Sequence, residues 1–233
     1  MARRLWLVFA MTAVASLAWG ALVPAQGAAT PEWRQTFAVG KASLSDTGRG
    51  TFFILEPGHR ATYRNGSDTL IVTVLDETKV VDGVRTRVVE ERETEGGELA
   101  EVSRNYFAID RTTGDVYYFG EEVDEYKDGR VTGHGGAWLA GVGGNRFGLI
   151  VPGAPRVGDR YYQEIAPKIA MDRAEVVSVT ETVTVPAGTF RNCLHTRESS
   201  AIESGSESKW FAPGIGLIKD AEFELAAIDR GRS

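Results

Sequence analysis

Five turn dipeptides punctuate the middle of this chain, and they constrain its fold more than any other feature. They are Asn65-Gly66, Asp82-Gly83, Gly96-Gly97, Thr113-Gly114 and Asp128-Gly129. Asn-Gly and Asp-Gly favour the positive φ angles of tight hairpin turns, whose twist matches that of paired strands. Successive turns are fourteen to seventeen residues apart, and the intervening stretches are rich in β-branched and aromatic residues. The pattern predicts an antiparallel meander.

The β pattern continues to the C-terminal part of the chain. Strands are predicted at 70–75, 84–91, 99–109, 116–119, 160–164, 174–185, 189–196, 207–212 and 215–224. The best helix candidate is short, from Pro167 to Arg173, and residues 133–148 hold seven glycines and are expected to be irregular. The sequence therefore predicts a mostly β protein, an antiparallel meander forming a sandwich or a partly open barrel with few or no long helices.

The first 25 residues have the pattern of a signal peptide. Arg3 and Arg4 precede an apolar run from Leu5 to Val23, and small residues follow where a signal peptidase cuts. A retained membrane anchor is the alternative, because nineteen apolar residues can span a bilayer. We expect cleavage, no stable transmembrane anchor afterwards, and a periplasmic or secreted protein. The predicted divisions are a signal peptide at 1–25, a flexible N-terminal arm at 26–50 and a single antiparallel β domain at 51–233.

Composition excludes several classes of protein. The chain has 26 Lys and Arg against 32 Asp and Glu, a formal net charge of -6, so it lacks the basic excess of a nucleic-acid binder. Cys193 is the single cysteine, which excludes an intramolecular disulfide. With 42% hydrophobic residues, the chain can form a packed core. We expect Cys193 to be buried in that core.

Acidic residues cluster near two of the turns. Glu90, Glu91, Glu93 and Glu95 are expected at strand ends that project into water. The segment 120–125 holds four carboxylates, which suit either a calcium ion or a solvated hairpin end. We assign no metal and no cofactor to the sequence.

Two other motifs have weak chemical interpretations. On a strand, Cys193 and His195 would share one face, but a metal site there needs further ligands, and only His59 and His134 remain as histidines. Ser206 and Lys209 have the spacing of a Ser-x-x-Lys motif, which works on a helix. On a strand their odd spacing places them on opposite faces. The sequence therefore assigns no catalytic residue.

A set of short strings carries a resemblance to a known family. They are 55–59 (LEPGH), 74–78 (VLDET), 104–108 (RNYFA), 116–120 (VYYFG), 185–190 (VPAGTF) and 210–219 (WFAPGIGLIK). From about Gly40 to Ile228 the chain resembles a family of exported bacterial β-rich proteins of unknown function. Its last forty residues are similar to outer-membrane lipoprotein carriers, which hold acyl chains in an unclosed barrel. The resemblance implies export and an open β architecture.

Clustered aromatic residues suggest a function. Outward rings on a curved sheet could line an apolar groove beneath the glycine-rich segment 133–148, although two-sided packing is the ordinary explanation. The residues predicted to bind the ligand are Tyr118, Trp138, Phe147 and Trp210. The leading hypothesis is an exported, non-catalytic protein that binds an apolar or amphipathic ligand, such as an acyl chain or envelope component. A carboxylate-dependent hydrolase and a structural or adhesion module are the alternatives.

Overall fold

The computed structural model describes residues 32–230, which form one short 3-10 helix, Lys41–Ser43, and eighteen strands. The strands are β1 (Leu44–Ser45), β2 (Gly48–Arg49), β3 (Ile54–Leu55), β4 (Arg60–Asn65), β5 (Asp68–Val81), β6 (Val84–Glu95), β7 (Glu98–Asp110), β8 (Val116–Lys127), β9 (Arg130–Gly133), β10 (Trp138–Leu139), β11 (Arg146–Val151), β12 (Arg160–Tyr162), β13 (Glu164–Ile165), β14 (Asp172–Val185), β15 (Gly188–Ser200), β16 (Glu207–Ala212), β17 (Gly216–Asp220) and β18 (Phe223–Asp229). The predicted mostly β fold is confirmed.

Sixteen of these strands form one antiparallel sheet that is nearly closed into a barrel with one unsealed seam. The order across the sheet is β12-β14-β15-β16-β17-β18-β4-β5-β6-β7-β8-β11-β13, with β1 on β7 and both β9 and β10 on β8. The small strands β2 and β3 pair with each other. Of the two predicted architectures, the partly open barrel is the one observed.

The seam lies between two strands that are consecutive in the chain. One edge strand, β12, pairs with β14, and the other, β13, pairs with β11. Gln163 alone separates β12 from β13, so the chain passes directly from one edge of the sheet to the other. The Gln163 backbone N–H donates to the Asp172 carbonyl oxygen at 2.8 Å. The seam is therefore spanned by the chain itself.

The segment before the barrel contacts it at several points. Arg34 forms a parallel bridge with Tyr161 of β12. Asp46 is buried, and its Oδ2 atom lies 3.0 Å from Nη2 of Arg87, while Arg87 Nε donates to the Asp46 carbonyl at 2.9 Å. The predicted divisions of the chain, including a flexible arm at 26–50, stay predictions. The predicted signal peptide lies outside the described residues.

The structure corrects the local predictions at three places. The predicted helix from Pro167 to Arg173 is wrong, because Ala166 and Ala170 exchange backbone hydrogen bonds as an antiparallel bridge, and Lys168 has a φ of 71°. The glycine-rich segment contains β10 and the start of β11. The strand predicted at 215–224 is two strands, divided by a turn at Ala221, which has a φ of 48°. In each case tertiary pairing decided the local conformation.

The barrel carries a large hydrophobic core, in which Leu55, Phe119, Leu149 and Leu194 are fully buried. Cys193 is also fully buried, as expected, and burial raises the pKa of its thiol. In residues 32–230, no helix has the length and apolar character that crossing a membrane requires.

Candidate functional site

The inward side chains of the barrel line two connected cavities. Successive side chains on a strand point to opposite faces, so every second residue of β5, β7 and β16 faces the interior. These inward rows are Leu70, Val72 and Val74 on β5, Glu101, Ser103, Asn105 and Phe107 on β7, and Glu207, Lys209 and Phe211 on β16. On β7 and β16 the row changes from apolar at one end to acidic at the other. The interior therefore has an apolar part and an acidic part.

The apolar chamber has a volume of about 150 Å³. Its apolar lining is contributed mainly by Phe53, Ile54, Leu70, Val72, Val74, Phe211, Ile215 and Leu217. An apolar cavity of that size accommodates a group about as large as benzene. The chamber can therefore enclose a ring or a short alkyl chain.

The acidic chamber is larger, about 320 Å³. Seven carboxylates and one ammonium group line it: Glu91, Glu101, Glu121, Glu164, Asp172, Glu198, Glu207 and Lys209. The two chambers share lining residues, among them Phe107, Ile150 and Gln163. Gln163, at the seam, donates from Nε2 to Glu198 Oε1 at 2.9 Å. The chambers thus meet where the two edges of the sheet approach each other.

Lys209 is the cation at the centre of this acidic chamber. Its Nζ atom lies 3.2 Å from Asp220 Oδ2, 3.3 Å from Glu198 Oε2 and 3.7 Å from Glu207 Oε1. Burial alone would lower the pKa of Lys209, but these three carboxylates raise it well above its ordinary value. Lys209 therefore stays protonated and offsets part of the negative charge of the interior.

Several of the other carboxyl groups are held towards their neutral form. Burial raises the pKa of Glu91 to about 7, against the opposing effect of Lys209. Burial, together with the neighbouring Asp172, raises the pKa of Glu164 well above its ordinary value. The expectation that Glu91 projects into water is wrong, because cross-strand register places this residue on the inner face of β6.

Two of the predicted ligand-binding residues are neighbours beside the acidic chamber. Tyr118 lines it, and its hydroxyl donates to Asn105 Oδ1 at 2.6 Å. Trp138 packs on Tyr118 in an edge-to-face arrangement, with 5.3 Å between the ring centroids. The indole N–H of Trp138 is buried without a hydrogen-bond partner among residues 32–230. That these residues bind a ligand stays a prediction.

The other two predicted residues lie apart from them. Phe147 of β11 stacks on Phe119 with a centroid separation of 4.8 Å. Trp210 alternates with the inward residues of β16, so its ring lies on the outer face, stacked on His195 with a centroid separation of 4.4 Å. The structure therefore brings Tyr118 and Trp138 together but places Trp210 on the opposite side of the barrel wall.

The acidic segment 120–125 is divided between the two faces of β8. Glu121 lines the interior, while Glu122 contacts Lys79 and accepts a hydrogen bond from Tyr106 at 2.7 Å. Within residues 32–230, no group of three or more His, Cys, Asp or Glu side chains is placed to hold a metal ion.

Sequence reasoning missed the central residues of the interior, Lys209 and the carboxylates around it. The signal that could have found them is the alternation along β16. Glu207, Lys209 and Phe211 share one face, and Ser208 and Trp210 share the other. On the inner face, Lys209 lies between the acidic Glu207 and the apolar Phe211. A lysine on an inner face is uncommon, because a buried charge requires partners, so its position indicates carboxylates nearby.

Comparisons with known proteins give one structural neighbour and no family. No family model matches the chain, and no curated protein matches it. A crystal structure described as that of a "putative lipoprotein" from Parabacteroides distasonis aligns with 78% of this chain and 100% of its own, at 11% sequence identity and a TM-score of 0.38. The resemblance to a family of exported β-rich proteins stays a prediction.

Proposed function

We propose that the protein binds a small amphipathic molecule inside the barrel. The observation that carries this proposal is the polarity gradient of the interior, where an apolar chamber of about 150 Å³ shares lining residues with an acidic chamber of about 320 Å³. Small-molecule sites are typically concave and apolar, with a few polar groups that fix the orientation of the ligand. Export to the periplasm or the cell exterior is part of the same proposal.

The apolar chamber sets the size of the ligand's hydrophobic part. Its volume corresponds to a benzene-sized group, so an aromatic ring or a short acyl chain fits better than a long fatty acid. Phe53, Val72 and Phe211 would contact this part of the ligand. The envelope component bound is therefore small, or inserts only one end.

The acidic chamber sets the chemistry of the ligand's head group. A head that donates hydrogen bonds, above all an ammonium group, would be stabilised by Glu91 and Glu198. A carboxylate head would meet seven carboxyl groups against the single ammonium group of Lys209, so the ionised members of this set make its binding less favourable. The ligand we propose is a short-chain or aromatic amine.

Three probes that differ only in their head group test this proposal. Octylamine, octanol and octanoate are titrated into the purified protein by isothermal titration calorimetry. We expect affinity to decrease in the order octylamine, octanol, octanoate, and Glu91→Gln to weaken octylamine binding while leaving octanol binding unchanged. Native mass spectrometry of the freshly purified protein checks for a molecule that co-purifies.

A pair of matched variants on β5 tests the apolar chamber. Val72→Phe fills the chamber, whereas Val80→Phe places the same side chain at a position that is 69% exposed. We expect Val72→Phe to abolish binding of octylamine and octanol and Val80→Phe to leave both unchanged. No binding of any probe to the wild-type protein would overturn the proposal, and tighter binding of octanoate than of octylamine would overturn its head-group part.

A further inference from the structure

Three polar side chains on the outer wall of the barrel form a continuous hydrogen-bonded row. Ser208 Oγ lies 3.0 Å from His195 Nε2, and His195 Nδ1 lies 2.9 Å from Glu181 Oε1. The three residues come from the adjacent strands β16, β15 and β14. A hydroxyl, an imidazole and a carboxylate in this order form the arrangement that activates a serine nucleophile.

Trp210 contacts both His195 and Glu181 and holds them in position. Its indole Nε1 donates to the second carboxylate oxygen of Glu181 at 2.7 Å, and its ring stacks on the imidazole of His195 with an interplanar angle of 18°. Burial alone would raise the pKa of Glu181, but hydrogen bonds from Trp210 and His195 keep this pKa below its ordinary value. Glu181 is therefore an ionised acceptor that holds Nδ1 protonated and leaves Nε2 as a base towards Ser208.

The row is reached from outside the barrel. Lys209 and Phe211 face the interior, so Ser208, which lies between Lys209 and Glu207, faces outward and is partly exposed. A groove of about 410 Å³ is lined by Arg197, the cross-strand partner of Ser208, although Ser208 itself does not line it. The remaining lining residues are Trp33, Arg160, Glu175, Ser199 and Ser206.

We propose that Ser208, His195 and Glu181 form a second functional site, which hydrolyses small carboxylic esters on the outer wall. Ser208 and His195 are the catalytic residues, and Glu181 is a positioning residue that acts through His195. The groove beside Arg197 would hold the acyl or alcohol part of the ester. This activity is separate from ligand binding in the interior and does not depend on it.

The reaction balances with water as the only co-reactant. Ser208 Oγ bonds to the ester carbonyl carbon while its proton passes to His195 Nε2, and the carbonyl oxygen becomes an oxyanion. The carbon–oxygen bond to the alcohol then breaks, and His195 returns the proton to the leaving alkoxide. Water attacks the acyl-Ser208 ester with His195 again as base, which releases the acid and restores the serine.

Within this proposal, Arg197 is the residue that would stabilise the oxyanion. It lies opposite Ser208 on the neighbouring strand, and its Nη2 atom donates to Glu175 at 2.8 Å. A guanidinium has five N–H donors, so the contact with Glu175 leaves donors that can interact with a developing negative charge.

Hydrolysis of p-nitrophenyl acetate by the purified full chain tests the proposal. Removal of a general acid–base group reduces rates by about 10²–10⁴-fold, and removal of a nucleophilic serine costs at least as much. We therefore expect Ser208→Ala and His195→Gln to lower kcat/KM at least about 100-fold. The controls Ser67→Ala and His134→Gln replace a serine and a histidine elsewhere on the surface and should stay within twofold of wild type.

Two further measurements separate catalysis from a structural role. Diisopropyl fluorophosphate should modify Ser208 of the wild-type protein, located by peptide mass spectrometry, with fluoride as the leaving group. Glu181→Gln should lower kcat while leaving KM within about twofold of wild type, because the imidazole loses the carboxylate that orients it for proton transfer but no group that contacts the ester is removed.

The results of these experiments test the proposed esterase site separately from the interior binding site. Absence of label on Ser208, or wild-type hydrolysis no faster than that of Ser208→Ala, would overturn the esterase proposal. Octylamine binding to Ser208→Ala should equal that of wild type, so failure here is distinguishable from failure of the interior site.

Discussion

Gly148 of β11 lies directly against the backbone of Gln163 at the seam of the barrel. A Cβ atom at position 148 would be 2.4 Å from both the carbonyl carbon and the carbonyl oxygen of Gln163. Backbone atoms cannot move aside as the end of a flexible side chain can, so Gly148→Ala must separate β11 from the seam. We expect a loss of about 1–3 kcal/mol in the free energy of unfolding, measured by urea denaturation.

Gly40→Ala is the matched control, because a Cβ atom there would meet nothing within 4 Å. We expect this variant to unfold at the wild-type urea concentration or slightly above it. Wild-type stability of Gly148→Ala would show that the seam is looser than its geometry indicates.

The pair formed by Asp46 and Arg87 anchors the segment before the barrel. Both side chains are buried, so Asp46→Ala leaves the guanidinium without its main partner in a low-dielectric environment. We expect a loss of about 3–5 kcal/mol in the free energy of unfolding. Thermal and urea denaturation both report it.

Asp76→Ala provides the comparison, since Asp76 also contacts Arg87, at 3.2 Å, but its side chain is 90% exposed. An exposed ion pair contributes at most about 1 kcal/mol, so this variant should be nearly as stable as wild type. Equal losses in the two variants would contradict the anchoring role of Asp46.

Glu91 gives the protein a pH-dependent stability. Its pKa is about 7 in the folded barrel and rises from an ordinary value of 4.5, so the folded state binds this proton more tightly than the unfolded state. The resulting stabilisation is complete below pH 4.5 and is lost as the pH rises through 7. A shift of this size corresponds to a change on the order of 3 kcal/mol.

Glu91→Gln should remove this part of the pH dependence, because the amide stays neutral. We expect the variant to match wild type at pH 4.5 and to exceed its free energy of unfolding at pH 8.5. Glu98→Gln, an exposed position on the next strand, should follow the wild-type curve throughout. A pH profile of Glu91→Gln that parallels wild type would refute the assignment.

Lys209→Met tests the electrostatic balance of the acidic chamber. The methionine has a similar length but leaves Glu198, Glu207 and Asp220 without their shared cation. We expect a loss of about 3–5 kcal/mol at pH 8. The loss should be smaller at pH 5, because burial raises the pKa values of Glu198 and Glu207 and they take up protons.

The double variant Lys209→Met with Glu198→Gln should recover part of that stability at pH 8. Circular dichroism during urea denaturation at both pH values measures the stability of wild type, Lys209→Met, Glu198→Gln and the double variant. An identical loss at pH 5 and pH 8 would mean that Lys209 acts through packing rather than charge.

The hairpins were predictable because their signals are local. Asp82-Gly83 and Asp128-Gly129 impose turn geometry through their own φ angles, which are positive at all four residues. By contrast, β4 was not predicted. Arg60 to Arg64 do alternate polar and apolar residues, but the segment is short, and its strand structure depends on pairing with β5 and β18.

The interior and the outer row were not predictable, because each depends on register between distant segments. Whether Glu91 faces water or the interior is decided by its pairing with Val72 and Ser103. The contact between Glu181 and His195 needs the register shifts that interrupt the pairing of β14 with β15. Neither property is encoded in a single stretch of sequence.

The shortness of the two terminal strands has a consequence for the behaviour of the protein at high concentration. A sheet with 12- to 14-residue strands such as β5, β6 and β14 would, if open, expose long rows of unpaired N–H and C=O groups that recruit other molecules into intermolecular β-structure. Here the sheet terminates in strands of three and two residues, β12 and β13. The terminal strands themselves therefore offer few unpaired backbone groups to a second molecule, and recruitment of further strands through β12 or β13 is disfavoured.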